Sequence, residues 1–521
     1  MAVGGSVAGA VIAALAVFAP ALPASTSATS TESFAQQARQ TLAHARVRIA
    51  RTESATPHRL YAYYTIGDGW KYTGRGGWAA GFVPAALWSC YQLSGKEWWR
   101  EHAVSREAAI GRTEISADSL NLGALFFPSF ARGYTLTGDP ALKAVALAAA
   151  RSMALRYDPV VGAMLSRPGP EFNVITDSLM KSQLLWWAAK HGGPPEDVEI
   201  ARRHALTIAR DLVRPDGSLW HIVYYDTLTG LPTHRAAGAG YSEDSTWARG
   251  QAWAMLGFAA AYRETRESTF LATARQVADW YLANVPEDMI PYWDFGAPDI
   301  PAAPRDSSAA AIAASALADL ALTDPDPAHG ARYLAAAEAT LTSLMTPSYL
   351  SLESNPAVLL HGTYSWRSGI TDRGLAYGDA FFLEALLRLR RSAPDAAPLA
   401  LVRARSEKGV ASRAIDGELA TSWASRGRKA LDVRLDGTPE VGAVRIALAG
   451  GATRAAVLRI ALSRDGRHWR SVLQTMTSGD VDGFETLALA PAEARWVRIR
   501  CDGTTRGPVN RIAEVEVYPA L

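Results

Sequence analysis

Several features are scarce in this 521-residue chain, and each scarcity excludes something. Two cysteines, Cys90 and Cys501, lie 411 residues apart and rule out a disulfide framework. Charge of one sign is lacking: 53 Lys+Arg against 51 Asp+Glu give a formal net charge of +2, which argues against a dedicated nucleic-acid binder. Long apolar runs are lacking too. Gly9–Leu22 (GAVIAALAVFAPAL) is the one stretch that suits lipid, and its 14 residues, with Pro20 near the end, are too few for a stable membrane span. Small residues follow from Pro23 to Ala28, as at a signal-peptidase site, so residues 1–28 are expected to form a secretory signal peptide and the mature protein to be extracellular. No Lys or Arg precedes Arg39, which leaves a lipid-embedded anchor or a misassigned start as the alternatives. Hydrophobic residues are plentiful at 49%, with 16 Trp and 18 Tyr, so disordered, collagenous and multi-span classes are excluded. A chain this long has room for about two to four domains.

From about residue 31 to 392 the pattern is helical and it recurs. Segments apolar on nearly every face open near positions 81, 120, 177, 245, 307 and 378, as in LNLGALFFPSFARGYTL from Leu120 and SSAAAIAASALADLAL from Ser307. A helix apolar all round is a buried one. The first five are each followed by a turn and an amphipathic segment, such as DVEIARRHALTIARDLV, and Glu32–Thr52 supplies a sixth amphipathic partner. Intervals of 39, 57, 68, 62 and 71 residues are too irregular for a solenoid. Six inner and six outer helices predict an (α/α)6 barrel whose mouth is built from the loops preceding the inner helices; an open solenoid is the alternative.

Residues 393–398, with Pro394 and Pro398, read as a linker. Beyond it the period changes to two: LDVRL, AVRIAL, VLRIAL, ARWVRIRC and EVEVY are short strands, so residues 399–521 are expected to form an antiparallel β-sandwich. Residues 397–521 carry 19 Lys+Arg and 14 Asp+Glu, a net of +5 on an otherwise slightly acidic chain, which hints at an anionic partner.

Three strings, DGSLWHIVYYDTLTG (Asp216–Gly230), YSEDSTWARGQAW (Tyr241–Trp253) and PYWDFGAPDIPAAPRDSSAAAIAAS (Pro291–Ser315), resemble the unsaturated glucuronyl hydrolases, glycoside hydrolase family 88. That resemblance implies removal of a 4,5-unsaturated uronic acid from lyase-generated oligosaccharides by hydration of a vinyl ether, with no cofactor for catalysis. In the second part, AIDGELATSW, SRDGRHW, ARWVRI and EVEVY resemble the discoidin-like, coagulation-factor type C domains, including family 32 carbohydrate-binding modules. This second resemblance implies a discoidin-like jelly roll and a structural Ca2+ with Asp416 and Glu514 among its ligands; oxygen ligands suit a hard cation. The expected partner is an oligosaccharide or polysaccharide, acidic in character, and neither nucleic acid nor a membrane.

The resemblance also implies site residues. Asp177, opening the third inner helix, matches the family's general acid/base; by itself an Asp there reads as a helix N-cap. His221 matches a substrate-contacting histidine. Arg249 and Trp253, one helical turn apart, match a guanidinium that binds substrate and an indole that stacks on a sugar. The alternative for this pair is an ion pair within the barrel and a core side chain. Trp78 matches a further aromatic of the pocket.

Three positions depart from the family pattern. Asn121 stands where a second catalytic aspartate is expected, with Asp118 three residues earlier as a stand-in. Ala239 replaces a glutamine, and Lys181 replaces an asparagine. An ammonium four residues after Asp177 and the loss of a neighbouring carboxylate both favour the ionised acid. Three readings follow: a uronyl hydrolase with altered substrate preference, in which Lys181 binds an extra anionic group; a glycan-binding protein impaired in catalysis; and an inverting glycosidase, which needs two carboxylates about 6.5–9.5 Å apart.

Overall fold

Helices apolar on every face have to be covered on every face, and in the computed structural model they are. The structure describes residue 1 and residues 34–94, 96–111, 120–352, 354–391, 398–477, 479 and 484–520. The expected signal peptide, the body of the linker and Asp118 lie outside these residues. Helices run in the order α1 (Phe34–Ala55), α2 (Phe82–Ser94), α3 (Glu97–Ile110), α4 (Leu122–Phe126), α5 (Arg132–Thr137), α6 (Pro140–Ala154), α7 (Asp177–Lys181), α8 (Gln183–Lys190), α9 (Glu196–Asp211), α10 (Ala248–Thr265), α11 (Ser268–Asn284), α12 (Ser307–Thr323), α13 (Pro327–Leu344) and α14 (Ala376–Arg391).

Among the described residues, six inner segments form a closed ring: α2, α4–α5, α7–α8, α10, α12 and α14, each packed on the next, with α14 returning to α2. Every residue of α10 from Ala248 to Tyr262, and of α12 from Ser307 to Leu320, is buried. The outer helices α3, α6, α9, α11 and α13 each pack on the inner segment before them, and α1 packs on α14. Their sidedness is visible in α9, where Ala201, His204, Ala205 and Ile208 are buried. Closure by α14 on α2 removes the open-solenoid alternative.

Two inner segments expected as single helices are broken. Between α4 and α5 the turn Phe127–Ala131 is a π-helix containing Pro128, whose missing N–H and ring displace the regular ladder. The third inner segment breaks at Ser182, between α7 and α8. The second break lies five residues after Asp177.

Charged side chains close the far, C-terminal end of the ring. Asp319 pairs with Arg263 and, at 2.9 Å, with Arg388, which also reaches Glu384 at 2.6 Å.

Short strands decorate the mouth. A hairpin joins β1 (Leu60–Ile66) to β2 (Gly69–Gly74), β3 (Tyr157–Asp158) pairs with β4 (Ala163–Met164), and β5 (Phe172–Ile175), β6 (Ile222–Tyr225) and β7 (Pro232–Ala236) form a small antiparallel sheet. The C-terminal sandwich holds β8 (Leu401–Ser406), β9 (Trp423–Arg426), β10 (Lys429–Leu435), β11 (Glu440–Leu448), β12 (Ala456–Ser463), β13 (Arg470–Met476), β14 (Phe484–Glu493), β15 (Trp496–Thr504) and β16 (Val509–Pro519). Its sheets are ordered β13-β12-β15-β10-β8 and β14-β11-β16-β9. Leu431, Val433, Leu458, Ile460, Val497 and Ile499 on one sheet meet Val444, Ile446, Val515 and Val517 on the other, as strand alternation requires. The sandwich packs on α2, α5 and α14 through β13 and β14, and the Gln474 amide donates to the Thr137 carbonyl at 2.8 Å. Thr137 ends α5, so this contact is made at the end of the ring away from the mouth. From Phe34 onward the chain is one compact unit.

Candidate active site

The N-terminal ends of the inner helices meet at the mouth, and local strand pairing determines what stands beside Asp177. β5 runs into α7, and its pairing with β6 sets Ile175 opposite Ile222. That register puts His221 next to Asp177: the Thr176 N–H donates to the His221 carbonyl at 3.3 Å, and His221 Nε2 lies 3.4 Å from Asp177 Oδ2. The loop 237–239 wraps the other edge of the imidazole. The Ala239 N–H donates to His221 Nδ1 at 2.8 Å, which favours the tautomer with its proton on Nε2, facing the carboxylate. Gly238 makes the wrap feasible. It sits at φ +57°, and a Cβ there would fall 2.2 Å from His221 Nδ1. The His221 ring in turn lies 4.7 Å from that of Trp247.

Asp177 caps no helix. Its carboxylate meets the Thr176 hydroxyl at 3.3 Å and His221, and none of its described bonds goes to a helix N–H, so the N-cap alternative is not realised. Burial pushes this carboxyl up, but the hydrogen bond and charge of His221, with Lys181 and Arg249 behind them, outweigh burial and hold it below the usual carboxylate range.

Lys181 is buried one turn further along the same helix face, and its ammonium donates to the Leu120 carbonyl at 3.3 Å. Burial lowers its pKa to about 8, with Asp177 opposing the shift. Gly123 permits this approach, because a Cβ there would fall 2.2 Å from the Lys181 carbonyl oxygen. Asn121 immediately precedes α4 on the same stretch of wall, and its amide reaches the Gly76 carbonyl at 3.5 Å. Asp177, Lys181 and the start of α4 are therefore brought together.

Arg249 takes part in an ion pair within the barrel, the alternative given for it. Its guanidinium is buried, pairs with Asp306 at 2.6 Å, and donates to the carbonyls of Thr363 at 2.5 Å and Tyr364 at 2.8 Å, while lying over the Trp247 ring. The fork expected to bind substrate is engaged by a carboxylate that also caps α12 through Ser308 and Ala309 N–H. Trp253 is 1% exposed and packs edge-on to Phe381, so it offers no open face for stacking. Trp78 is half-buried at the mouth, and its indole N–H donates to the Tyr63 hydroxyl at 2.9 Å.

Several mouth residues escaped sequence reasoning. Tyr63 and Tyr364 share a 2.5 Å hydrogen bond, and Tyr64 stacks on Tyr364 with centroids 5.5 Å apart. Trp366 stacks on Trp293 at 4.9 Å and meets Tyr241 edge-on. Arg367 donates to the carbonyls of Gly238 and Gly240 at 3.1 and 2.9 Å, bracing the loop that wraps His221. The available signal was composition: aromatics gathered in the loops before α2 and α14.

In the sandwich, Asp416 and Glu514 are neighbours. Glu514 Oε2 accepts from the Gly417 N–H at 3.1 Å, and burial, reinforced by Asp416, raises its carboxyl above the usual range. The Thr421 hydroxyl faces three acceptors, Asp416 Oδ2 at 2.8 Å and the carbonyls of Arg413 and Glu418 at 3.1 and 3.4 Å. One hydroxyl proton satisfies one of them. This oxygen-rich donor set, with two carboxylates, fits a hard divalent cation.

Comparison with known proteins agrees with this fold. Residues 55–361 match the model of Glycosyl Hydrolase Family 88, and residues 401–515 match the F5/8 type C domain. An unsaturated glucuronyl hydrolase of Bacillus sp. (strain GL1) is 36% identical over 329 residues, which cover 60% of this chain and 86% of that protein. The crystal structure of an unsaturated glucuronyl hydrolase specific for heparin superposes with a TM-score of 0.65 at 31% identity, covering 68% of this chain and 96% of that one. An Asp-to-Asn variant of the Streptococcus agalactiae unsaturated glucuronyl hydrolase, complexed with dGlcA-GalNAc6S, superposes with a TM-score of 0.60 at 27% identity, covering 69% and 93%. The chain belongs to glycosyl hydrolase family 88, the family of the unsaturated glucuronyl hydrolases, and carries a C-terminal F5/8 type C domain.

Proposed function

We propose that this protein is secreted and removes a 4,5-unsaturated uronic acid from the ends of lyase-generated, anionic oligosaccharides. The observation that carries the reading is the Asp177–His221 pair at the mouth of a closed helical ring. Asp177 in its acid form delivers its proton to C4; water adds at C5 and returns a proton to the Asp177 carboxylate; the C5 hemiketal opens, and the next sugar leaves. His221 orients the carboxyl through Nε2. Asp177 rests below the usual carboxylate range, and the chemistry needs it protonated. A bound uronate carboxylate supplies the like charge that raises a neighbouring acid.

Lys181 is read as the feature that alters preference. Among the described residues its ammonium donates only to the Leu120 carbonyl, which leaves donors for a sulfate or second carboxylate. A relative specific for heparin and another complexed with dGlcA-GalNAc6S support a sulfated substrate class. In the sandwich, a structural Ca2+ is assigned to Asp416 and Glu514 with neighbouring carbonyls, and the module is read as glycan-binding.

Asn121 favours one competitor, a glycan-binding protein without catalysis. The inverting-glycosidase reading has little support, since the other buried carboxylates near the mouth are engaged, Asp306 by Arg249, Asp294 by the Tyr241 N–H and Ser245 hydroxyl, and Asp379 by the N–H groups of Val358 and Leu359. The test is loss of the C4=C5 ultraviolet chromophore when the purified protein meets sulfated and unsulfated unsaturated uronyl disaccharides. Turnover is expected, faster on sulfated substrates. Binding without chromophore loss across that panel contradicts the hydrolase reading and favours the competitor.

A further inference from the structure

The outward face of the five-stranded sheet carries a grid of arginines. Strand register places Arg403 opposite Arg434, Arg405 opposite Asp432, Asp432 opposite Arg498, and Arg500 opposite Arg459. Residues directly opposite on paired strands share a face, about 5 Å apart across strands and about 7 Å along them. Arg428 stands at one edge, 4.0 Å from Asp502. Against these seven arginines the face sets two deeply placed carboxylates, with an exposed third, Glu407, at its rim and paired with Lys429 at 2.8 Å. Asp432 is 8% exposed between Arg405 and Arg498, and Asp502 is 10% exposed beneath Arg459, Arg500 and Arg428, whose side chains are 45–71% exposed. Guanidinium groups therefore dominate the surface that solvent meets.

Like charges directly opposite across a strand pair destabilise a sheet. Arg403 and Arg434 are such a pair, and among the described residues no carboxylate is placed on either. Two tryptophans underlie the grid: Arg405 lies 4.2 Å from the Trp496 ring centre, and Arg498 lies 3.9 Å from that of Trp469. Stacking of this kind holds a guanidinium plane in place and reduces the ordering entropy of binding. The sandwich meets the barrel through β13 and β14, whereas the grid is centred on β8, β10 and β15.

We infer that this face of the sandwich binds a linear anionic polysaccharide, by guanidinium forks on successive sulfate or carboxylate groups, and so tethers the enzyme to such a polymer. Charge complementarity selects the occupant, with forks matched to planar carboxylate and to sulfate. A flat, open grid suits an extended chain rather than a pocketed monosaccharide. Single-stranded nucleic acid is disfavoured, because it needs open aromatic faces for its bases and both tryptophans here lie under guanidinium groups. The choice among anionic polymers also rests on the reading of the barrel as a uronyl hydrolase.

Binding of the full-length protein to heparin chains, to dextran and to single-stranded DNA of equal charge tests this at several salt concentrations. Heparin is expected to bind, dextran not, and DNA more weakly. Replacing the carboxylate-free pair, as Arg403→Ala/Arg434→Ala, should weaken heparin binding about tenfold at 0.1 M salt and flatten its salt dependence. Chromophore turnover should stay unchanged, and Tm should not fall, since the substitution removes a like-charge pair. Arg403→Lys/Arg434→Lys, which keeps the charge, should recover most of the loss, and Arg511→Ala on the other sheet should bind normally. Heparin binding unaffected by the alanine pair, or DNA binding at least as tightly as heparin, overturns the inference. A protein that turns over disaccharide yet ignores heparin refutes the tether alone, and one that binds heparin without turnover refutes only the hydrolase reading.

Discussion

The mouth of the barrel and the outward sheet face of the sandwich both collect charge, and they do so by opposite means. At the mouth the charges nearest Asp177 are buried or half-buried and have named partners: Arg249 on Asp306 and two carbonyls, Lys181 on Leu120, Asp177 on His221. On the sheet face seven arginines stand over two carboxylates in open solvent. Buried charges are screened little, so each partner there has a large individual effect. Exposed ones are screened, so their effect is collective and falls with salt. The barrel should therefore respond to single substitutions, and the sheet face to pairs of them and to ionic strength.

The largest effect is expected at Asp177. Asp177→Asn should lower turnover by about a thousandfold or more, the scale of a lost general acid, while Tm stays near wild type because the carboxylate caps no helix. Wild-type turnover in that variant would remove Asp177 from the chemistry. Arg249→Ala comes next. It strands Asp306 inside the barrel, and breaking a buried pair costs about 3–5 kcal/mol, to be read from denaturant unfolding. A loss under about 1 kcal/mol would mean that the mouth behaves like the sheet face.

Glu107 offers a third contrast, sensitive to pH. Burial, only partly opposed by the Trp88 indole N–H, pushes its carboxyl up to about 8. With the folded value above the unfolded one, its contribution to stability is complete below about pH 4.5 and is lost as pH rises toward 8. Glu107→Gln should raise Tm at pH 9 and leave it unchanged at pH 4. The smallest effect is expected on the sheet: Arg459→Ala should change stability by under about 1 kcal/mol, and less at high salt. A larger, salt-independent loss would mean that the grid is structural.

Much of this architecture was legible in the sequence because burial of whole helices leaves a one-dimensional mark. The all-apolar runs from Ser245 and Ser307 became inner helices, and the change to period two beyond Pro398 became the sandwich. Pro128 and Ser182 interrupt helices whose hydrophobic pattern runs straight through the break, so apolarity alone read each segment as continuous. The family resemblance implied that Asp177 and His221 share one site, and β5–β6 pairing joins them. For Arg249 it left a substrate contact and a barrel ion pair both open, since the carboxylate and carbonyls that engage it come from residues 57 to 115 positions away. The pairing of Tyr63 with Tyr364 spans 301 positions and belongs to no local pattern. The arginine grid was sensed only as a net charge, because strand register, not sequence order, lines it up.

The central claim is that the reaction runs through the proton on Asp177, in a field that includes Lys181. The most direct measurement is the pH dependence of kcat/KM for chromophore loss in the wild type and in Lys181→Asn. An acid catalyst held low should give wild-type activity that declines as pH rises through the titration of Asp177. Removing the ammonium withdraws support for the ionised form, so the decline should move to higher pH by about half a unit or more. A decline at the same pH in both proteins would contradict the account, placing either the working proton or the lysine charge outside this site.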